Sequence, residues 1–286
     1  ATPTTQQPVK KKKKKSTVKE PVIKSDGTKL VIINPYFFTP KTKNTRDDLE
    51  YNYVSEYVLS KKGESAAFII QKNVAKTDSA YVMLYNPGNH SSSKIFSFKG
   101  TAKNLSFNEK GSQLAFLATA DTGKARIFEL YYWSDKNSSC SKVVEYNTAG
   151  MPENFCVSEH GKLFFSEDEQ RQYLGTALKP EKESKDTIPD DEKYKVDIWN
   201  WQDKRLQTEQ LKDLEKDKKK NYLAVYHLSQ NKFIQLCNEE IDNYRIPSID
   251  DSKNIIGIGT LPYQRAYTWE YPWKADYYLI NTQTGE

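Results

Sequence analysis

A chain of 286 residues is long enough to bury one large core or two smaller ones. No run approaches the roughly 18 apolar residues of a membrane-spanning helix. The net charge of +5 is local: six of the 43 basic residues are Lys10–Lys15, and the other 37 face 38 acidic ones, so the body carries no basic field for nucleic acid.

The lysine tract follows Pro3 and Pro8 and has no aromatic residue among its lysines. That is the composition of a solvated segment, and residues 1–20 read as a basic tail or a loop between repeats, with no specific nucleic-acid partner. Lys29–Asn34 (KLVIIN) and Asp48–Tyr51 then read as the third and fourth strands of a four-stranded unit.

From there a pattern repeats at roughly fifty residues. Tyr57–Ile70 (YVLSKKGESAAFII), Asn104–Leu117 (NLSFNEKGSQLAFL) and Asn154–Ser166 (NFCVSEHGKLFFS) are each an apolar strand, a polar turn ending in Gly, and a second apolar strand. Gly63, Gly111 and Gly161 are expected at positive φ in those turns. A fourth copy, Arg245–Gly259, has Lys253 where the glycine would be.

Two further strands follow each hairpin: Ala80–Tyr85 and Lys94–Phe98, Ala125–Tyr132 and Lys142–Tyr146, Tyr222–Leu228 and Lys232–Leu236. Pro87, Gly88 and Asn89, then Asn137, Ser138 and Ser139, mark the turns between third and fourth strands. Ala275–Asn281 is again a third strand, with Thr284–Glu286 inside the turn after it. Four antiparallel strands per repeat predict a β-propeller blade. The expected fold is all-β: a partial β-propeller of four-stranded antiparallel blades with a helical insertion. It holds half a blade, three whole blades and three-quarters of another, with blades over 21–176 and 222–286. Open blades leave unpaired edges, so a larger ring is expected.

Residues 177–221 interrupt the third whole blade. Thr176–Lys195 is polar, with Pro180 and Pro189, and reads as a linker. Asp203–Lys220 is expected to be a helix carrying i,i+4 pairs Arg205/Glu209 and Glu215/Lys219. Leu206, Leu211 and Leu214 form a narrow apolar stripe. Trp199 and Trp201 are expected to anchor this surface helix by packing; stacking on a substrate is the alternative.

No chemistry is assigned. Cys140, Cys156 and Cys237 are odd in number, without CxxC spacing, so zinc is not expected; Cys156 and Cys237 sit in apolar strand patterns and read as core residues. His90 and His160 fall in turns and His227 in a strand. There is no G-x-S-x-G, no Gly-rich phosphate loop and no metal-ligand cluster. Acidic pairs such as Asp190/Asp191 and Glu239/Glu240 read as solvated. No catalytic, cofactor-binding or metal residue is named.

VDIWNWQDKRLQTEQ with Tyr222–Tyr226 resembles a segment of the large prolyl oligopeptidase-family serine peptidases of Bacteroidetes-type bacteria. Tyr173–Thr176 resembles the strand end upstream of it, and Trp269–Asp276, Tyr277 and Gly285 a later blade. The motif residues are Asp197, Trp199, Trp201, Asp203, Gln210 and Tyr222. The resemblance implies an N-terminal propeller, like that of dipeptidyl peptidases, that gates peptide substrate for a C-terminal α/β-hydrolase domain of the same polypeptide. It also implies export to the periplasm or cell surface. The rivals are a free-standing interaction module, or a glycan-binding protein or lyase using Trp199, Trp201, Trp269 and Trp273; Trp269, Tyr271 and Trp273 then form the rim.

Overall fold

The computed structural model describes residues 27–33, 48–74, 77–123, 125–181, 196, 198–247 and 253–286. The lysine tract, Asp190/Asp191 and Asp197 lie outside the described residues. Four antiparallel sheets follow one another along the chain. The first is β1 (Thr28–Ile32), β2 (Leu49–Leu59), β3 (Ala66–Val74), β4 (Thr77–Asn86) and β5 (Ser91–Phe98). The second is β6 (Thr101–Phe107), β7 (Gln113–Thr119), β8 (Glu129–Ser134) and β9 (Asn137–Val144). The third orders β10 (Phe155–Val157), β12 (Arg171–Leu178), β13 (Tyr222–His227) and β14 (Lys232–Gln235), with β11 (Phe164–Phe165) also on β12. The fourth is β15 (Asn243–Arg245), β16 (Asn254–Gly259) and β17 (Asp276–Asn281).

Side-chain alternation stacks these sheets face to face. Successive residues of a strand point to opposite faces. Leu114, Phe116 and Ala118 of β7 pack on Ala67, Ile69, Ala80 and Val82 of the first sheet. Ala115 and Leu117, between them, pack on Leu174, Ala224 and Tyr226 of the third. The third sheet's other face sets Leu223, Val225 and Ile234 against Ile255 and Ile280 of the fourth. Burying a side chain such as Phe116 stabilises the fold by about 2–3 kcal/mol.

Polar bonds lock the seams. The Glu56 carboxylate accepts the backbone N–H groups of Asn104 and Leu105 at 2.7 and 2.8 Å. Asn104 in turn donates its side-chain amide to the Glu159 carbonyl at 2.8 Å. Hairpin tips pair in series, Lys61 with Glu109 at 2.9 Å and Lys110 with Glu169 at 3.0 Å. Thr282, fully buried after β17, accepts from Arg171 on its hydroxyl (3.2 Å) and from His227 Nε2–H on its carbonyl (2.8 Å).

The third hairpin departs from the sequence reading. Its turn is Ser166–Arg171 and not the turn at Gly161. It closes with Ser166 N–H to Arg171 O (2.9 Å) and Glu169 N–H to Ser166 O (3.0 Å), the bonds that Ser60–Ser65 and Asn108–Gln113 also make. Glu169 stands at φ +57°, where Gly63 and Gly111 stand at +73°. Gly161 does not have positive φ. It is glycine because a Cβ there would run into the backbone of Gly175. The chain between β10 and β11 loops out at this point, so both short strands pair with β12.

Two other expectations change. Asp48–Tyr51 is no separate fourth strand. β2 runs through to Leu59 and pairs with both β1 and β3. A bulge at Tyr53 (φ +67°) bends it, so that β1 and the first half of β2 curl over the sheet's outer face: Leu30, Ile32 and Tyr51 cover Phe68. Asn137–Ser139 belong to β9, because Ser134 pairs with Asn137 across a two-residue turn. At the opposite end of the stack, among the described residues, apolar side chains face outward. Ile256 and Leu279 are cross-strand partners on the outer face of the fourth sheet, and Leu279 and its neighbour Tyr277 are 72% and 67% exposed.

Gly161→Ala is expected to destabilise the chain by about 2–3 kcal/mol through overpacking, and Gly63→Ala by only about 1 kcal/mol from backbone conformation alone, since nothing lies within 4 Å of a Cβ at Gly63. Urea midpoints of the two variants check this order.

Candidate functional site

β12 and β13 pair from Arg171↔His227 to Thr176↔Tyr222, so the chain leaves the sheet after Leu178 and returns at Tyr222. The excursion carries one helix among the described residues, α1 (Gln207–Asp217), shorter than the expected Asp203–Lys220. Leu206 at its N-cap supplies no side-chain acceptor, and no residue of α1 is buried. Propensity and apolar burial therefore do little to hold it.

A polar clasp holds it instead. Gln210 Nε2–H bonds the Arg205 carbonyl (2.8 Å) and the Asp203 carboxylate (3.2 Å), tying the preceding backbone alongside the helix. Arg205 thereby reaches the last turn and grips Asp217 through both guanidinium nitrogens, at 3.3 and 2.5 Å. The Asp217 bond raises the Arg205 pKa from its ordinary value. The expected Arg205/Glu209 pair gives way to this one, because Arg205 precedes the helix and does not share its i,i+4 geometry. Glu215 pairs with Lys218 at 2.9 Å in place of Lys219.

Facing α1 is the loop 260–275 between β16 and β17. Thr260 donates its hydroxyl to Asp242 (2.6 Å), and Tyr263 donates to Asp276 (2.7 Å), a bond that raises the Tyr263 pKa. Tyr267 donates to the Lys274 carbonyl and stacks on Trp273, ring centroids 5.5 Å apart. Between helix and loop runs a cleft of about 1110 Å³ with mixed charge on its walls, Arg205, Asp213, Lys220 and Asp242 among them. A second cleft, about 400 Å³, opens at the start of α1. It is walled by Trp199, Trp201, Leu206 and Trp269, with Lys204 and Arg265 at its edge. The Arg265 guanidinium lies 5.6 Å over the Trp201 ring.

Four of the five tryptophans stand here, exposed; the fifth, Trp133, is in the core. Trp199 and Trp201 are 66% and 76% exposed, so they do not anchor the segment by burial. Trp269, far away in sequence, lines the same small cleft. Trp273 lines the larger one, and Tyr271 stands outside both. Asp203 and Gln210 bond each other, and Tyr222 is buried in β13. Sequence reasoning missed Arg265 and Lys204. The signal for the first was a lone cation opening the aromatic run RAYTWEYPW.

The remaining reactive groups have structural partners. Tyr85 bonds His90 Nδ1 at 2.8 Å, His160 lies in a turn, and His227 bonds Thr282. Among the described residues no group of three or more His, Cys, Asp or Glu side chains is placed to hold a metal. The three cysteines are free thiols, Cys156 and Cys237 both buried. Burial pushes the Cys140 thiol up to about 12, and Cys156 and Cys237 up to about 11.

No family model matches the sequence, and no curated protein matches it. Among solved structures the chain is similar to the β-propeller domain of the Trilobed protease from Pyrococcus furiosus: 13% identity, TM-score 0.45, over 80% of this chain and 54% of that one. It is similar to prolyl oligopeptidase B from Galerina marginata at 13% identity and TM-score 0.42, over 82% of this chain and 28% of that one. It is also similar to TolB from Acinetobacter baumannii at 11% identity and TM-score 0.36, over 81% of this chain and 42% of that one. The chain thus spans less than two thirds of the length of each.

The thiol shifts give a signed pH dependence. Above the ordinary thiol value of 9.0 the unfolded chain releases these protons while the folded chain keeps them up to about 11. The stabilisation is whole below pH 9 and is lost as pH rises through 11. Urea midpoints should fall between these limits, and Cys156→Ala with Cys237→Ala should flatten the fall.

Proposed function

We propose that the chain is a propeller segment that gates or binds peptide substrate for a serine peptidase domain of the same polypeptide, and is itself non-catalytic. The observation that carries this reading is the serial, face-to-face stack of antiparallel sheets, covered at one end and, among the described residues, exposing apolar side chains at the other. An exposed apolar sheet face is what a ring presents to its next blade. Ile256, Tyr277 and Leu279 form that seat. On this reading 21–176 and 222–286 are blades, and 177–221 is an insertion that brings the aromatic cleft to the rim. Export to the periplasm or cell surface belongs to the same proposal.

A second reading is favoured by the exposed tryptophans: an interaction module, with protein or glycan as its partner, that needs no hydrolase. The reading frame around this sequence separates the two. A frame that carries G-x-S-x-G followed by Asp and His supports the peptidase, and a frame without them overturns it.

Two measurements follow. A fluorophosphonate probe should leave this chain unlabelled and label the whole polypeptide at one serine. Leu279→Lys should change the stability of this chain by no more than about 0.5 kcal/mol, as at an ordinary surface site, and lower the melting temperature of the whole polypeptide. A large loss in the isolated chain would mean that the face is already covered.

A further inference from the structure

Neither reading says what the small cleft at the start of α1 holds. Its walls are three indoles and Leu206, and its volume, about 400 Å³, suits one large side chain with its backbone. Solvent-facing indoles brought together from two distant segments form an apolar patch of the kind that marks a binding surface. Among the described residues the charge at its edge is compensated only in part, by the Asp203 carboxylate in the same cleft. Among the described residues no carboxylate pairs with Arg265 or Lys204. Arg205 in the same wall is already spent on Asp217. Asp203 also lines the cleft, and its Oδ2 accepts from Gln210.

The Arg265 geometry narrows the ligand further. The Arg265 guanidinium carbon lies over the Trp201 ring, 5.6 Å from its centroid. An indole ring takes none of the guanidinium's N–H donors in a conventional hydrogen bond, and a carboxylate can meet two of them through parallel bonds. Arg265 over the Trp201 ring also competes with a sugar for that face. The ligand is thus apolar over most of its volume and carries a carboxylate at one end.

We propose that this cleft binds the C-terminal residue of a peptide that ends in an aromatic or large aliphatic side chain. The side chain enters among Trp199, Trp201 and Trp269, and the terminal carboxylate sits on Arg265, with Lys204 adding charge. The proposal stands apart from the hydrolase reading, since binding by this chain needs no catalytic domain.

The test is fluorescence polarisation with the whole 286-residue chain and a short Gly/Ser peptide, fluorescein-labelled at its N-terminus and ending in Phe. It is compared as the free acid, as the C-terminal amide, and with a terminal Ser in place of Phe. The free acid ending in Phe should bind about tenfold or more tightly than the other two, the size expected for a charge-assisted pair or a buried ring. Arg265→Gln should bring the acid down to the affinity of the amide and leave the amide unchanged. Trp269→Ala should weaken both Phe peptides. Both side chains are exposed, and unchanged circular dichroism and melting temperature confirm folding. Equal binding of acid and amide, equal binding of Phe and Ser, no binding up to about 1 mM, or an unaltered acid affinity in Arg265→Gln each overturns the proposal. A rise in polarisation with glycan or anionic vesicles and not with the Phe acid overturns it as well.

Discussion

The fold depends on strands that are buried on both faces at once. β7 is the case in point: Leu114, Phe116 and Ala118 fill the seam with the first sheet, and Ala115 and Leu117 the seam with the third. A sheet of this kind cannot stand alone, because each of its faces would present apolar surface to water. An inner sheet therefore needs a neighbour on either side, and the outer face of an end sheet is buried only where something else covers it. At the first sheet the chain does this itself, through the bulge at Tyr53 that folds β1 and half of β2 back over Phe68. At the fourth sheet Tyr277 and Leu279 stay exposed.

Apolar faces alone leave the sheets free to slide, and the polar contacts at the seams fix their offset. The same place in successive repeats does related work with different chemistry. Glu56 reaches forward as an acceptor to the backbone of Asn104, and Asn104 reaches forward as a donor to the Glu159 carbonyl. The bond to Glu56 is the stronger kind, since a carboxylate meets two N–H groups at once. The tip pairs Lys61–Glu109 and Lys110–Glu169 are exposed on the lysine side and add little energy, but they bias the same register.

Strand periodicity and hairpin spacing were legible in the sequence because burial on a sheet writes itself as alternation. The third hairpin was misread for a definite reason. Two turn-like runs lie close together, at Gly161 and at Glu169, and only the first contains glycine. The turn geometry needs a positive φ, which Glu169 accepts at a cost, whereas Gly161 answers to the backbone of Gly175 across the sheet. That second demand is a long-range contact, invisible along the chain. The long β2 was hidden likewise, because its bulge breaks the alternation at the point where the strand continues.

The cleft was half legible. Two Trp pairs stand out in the sequence, at 199/201 and at 269/273, but nothing local says that 199, 201 and 269 meet. Their meeting follows from the register of β12 with β13 and of β16 with β17, which places the two non-repeating segments side by side. Those segments escape the repeat's constraint. Residues between paired strands owe nothing to the seams, so a tryptophan there is not held by core packing, and a salt clasp such as Arg205–Asp217 ties the helix to the backbone that precedes it. The stack thus holds its apolar residues inside, and the two excursions from it are where large aromatic surface faces water. A strand that gave up its alternation would open two seams at once, whereas a change in these excursions opens neither.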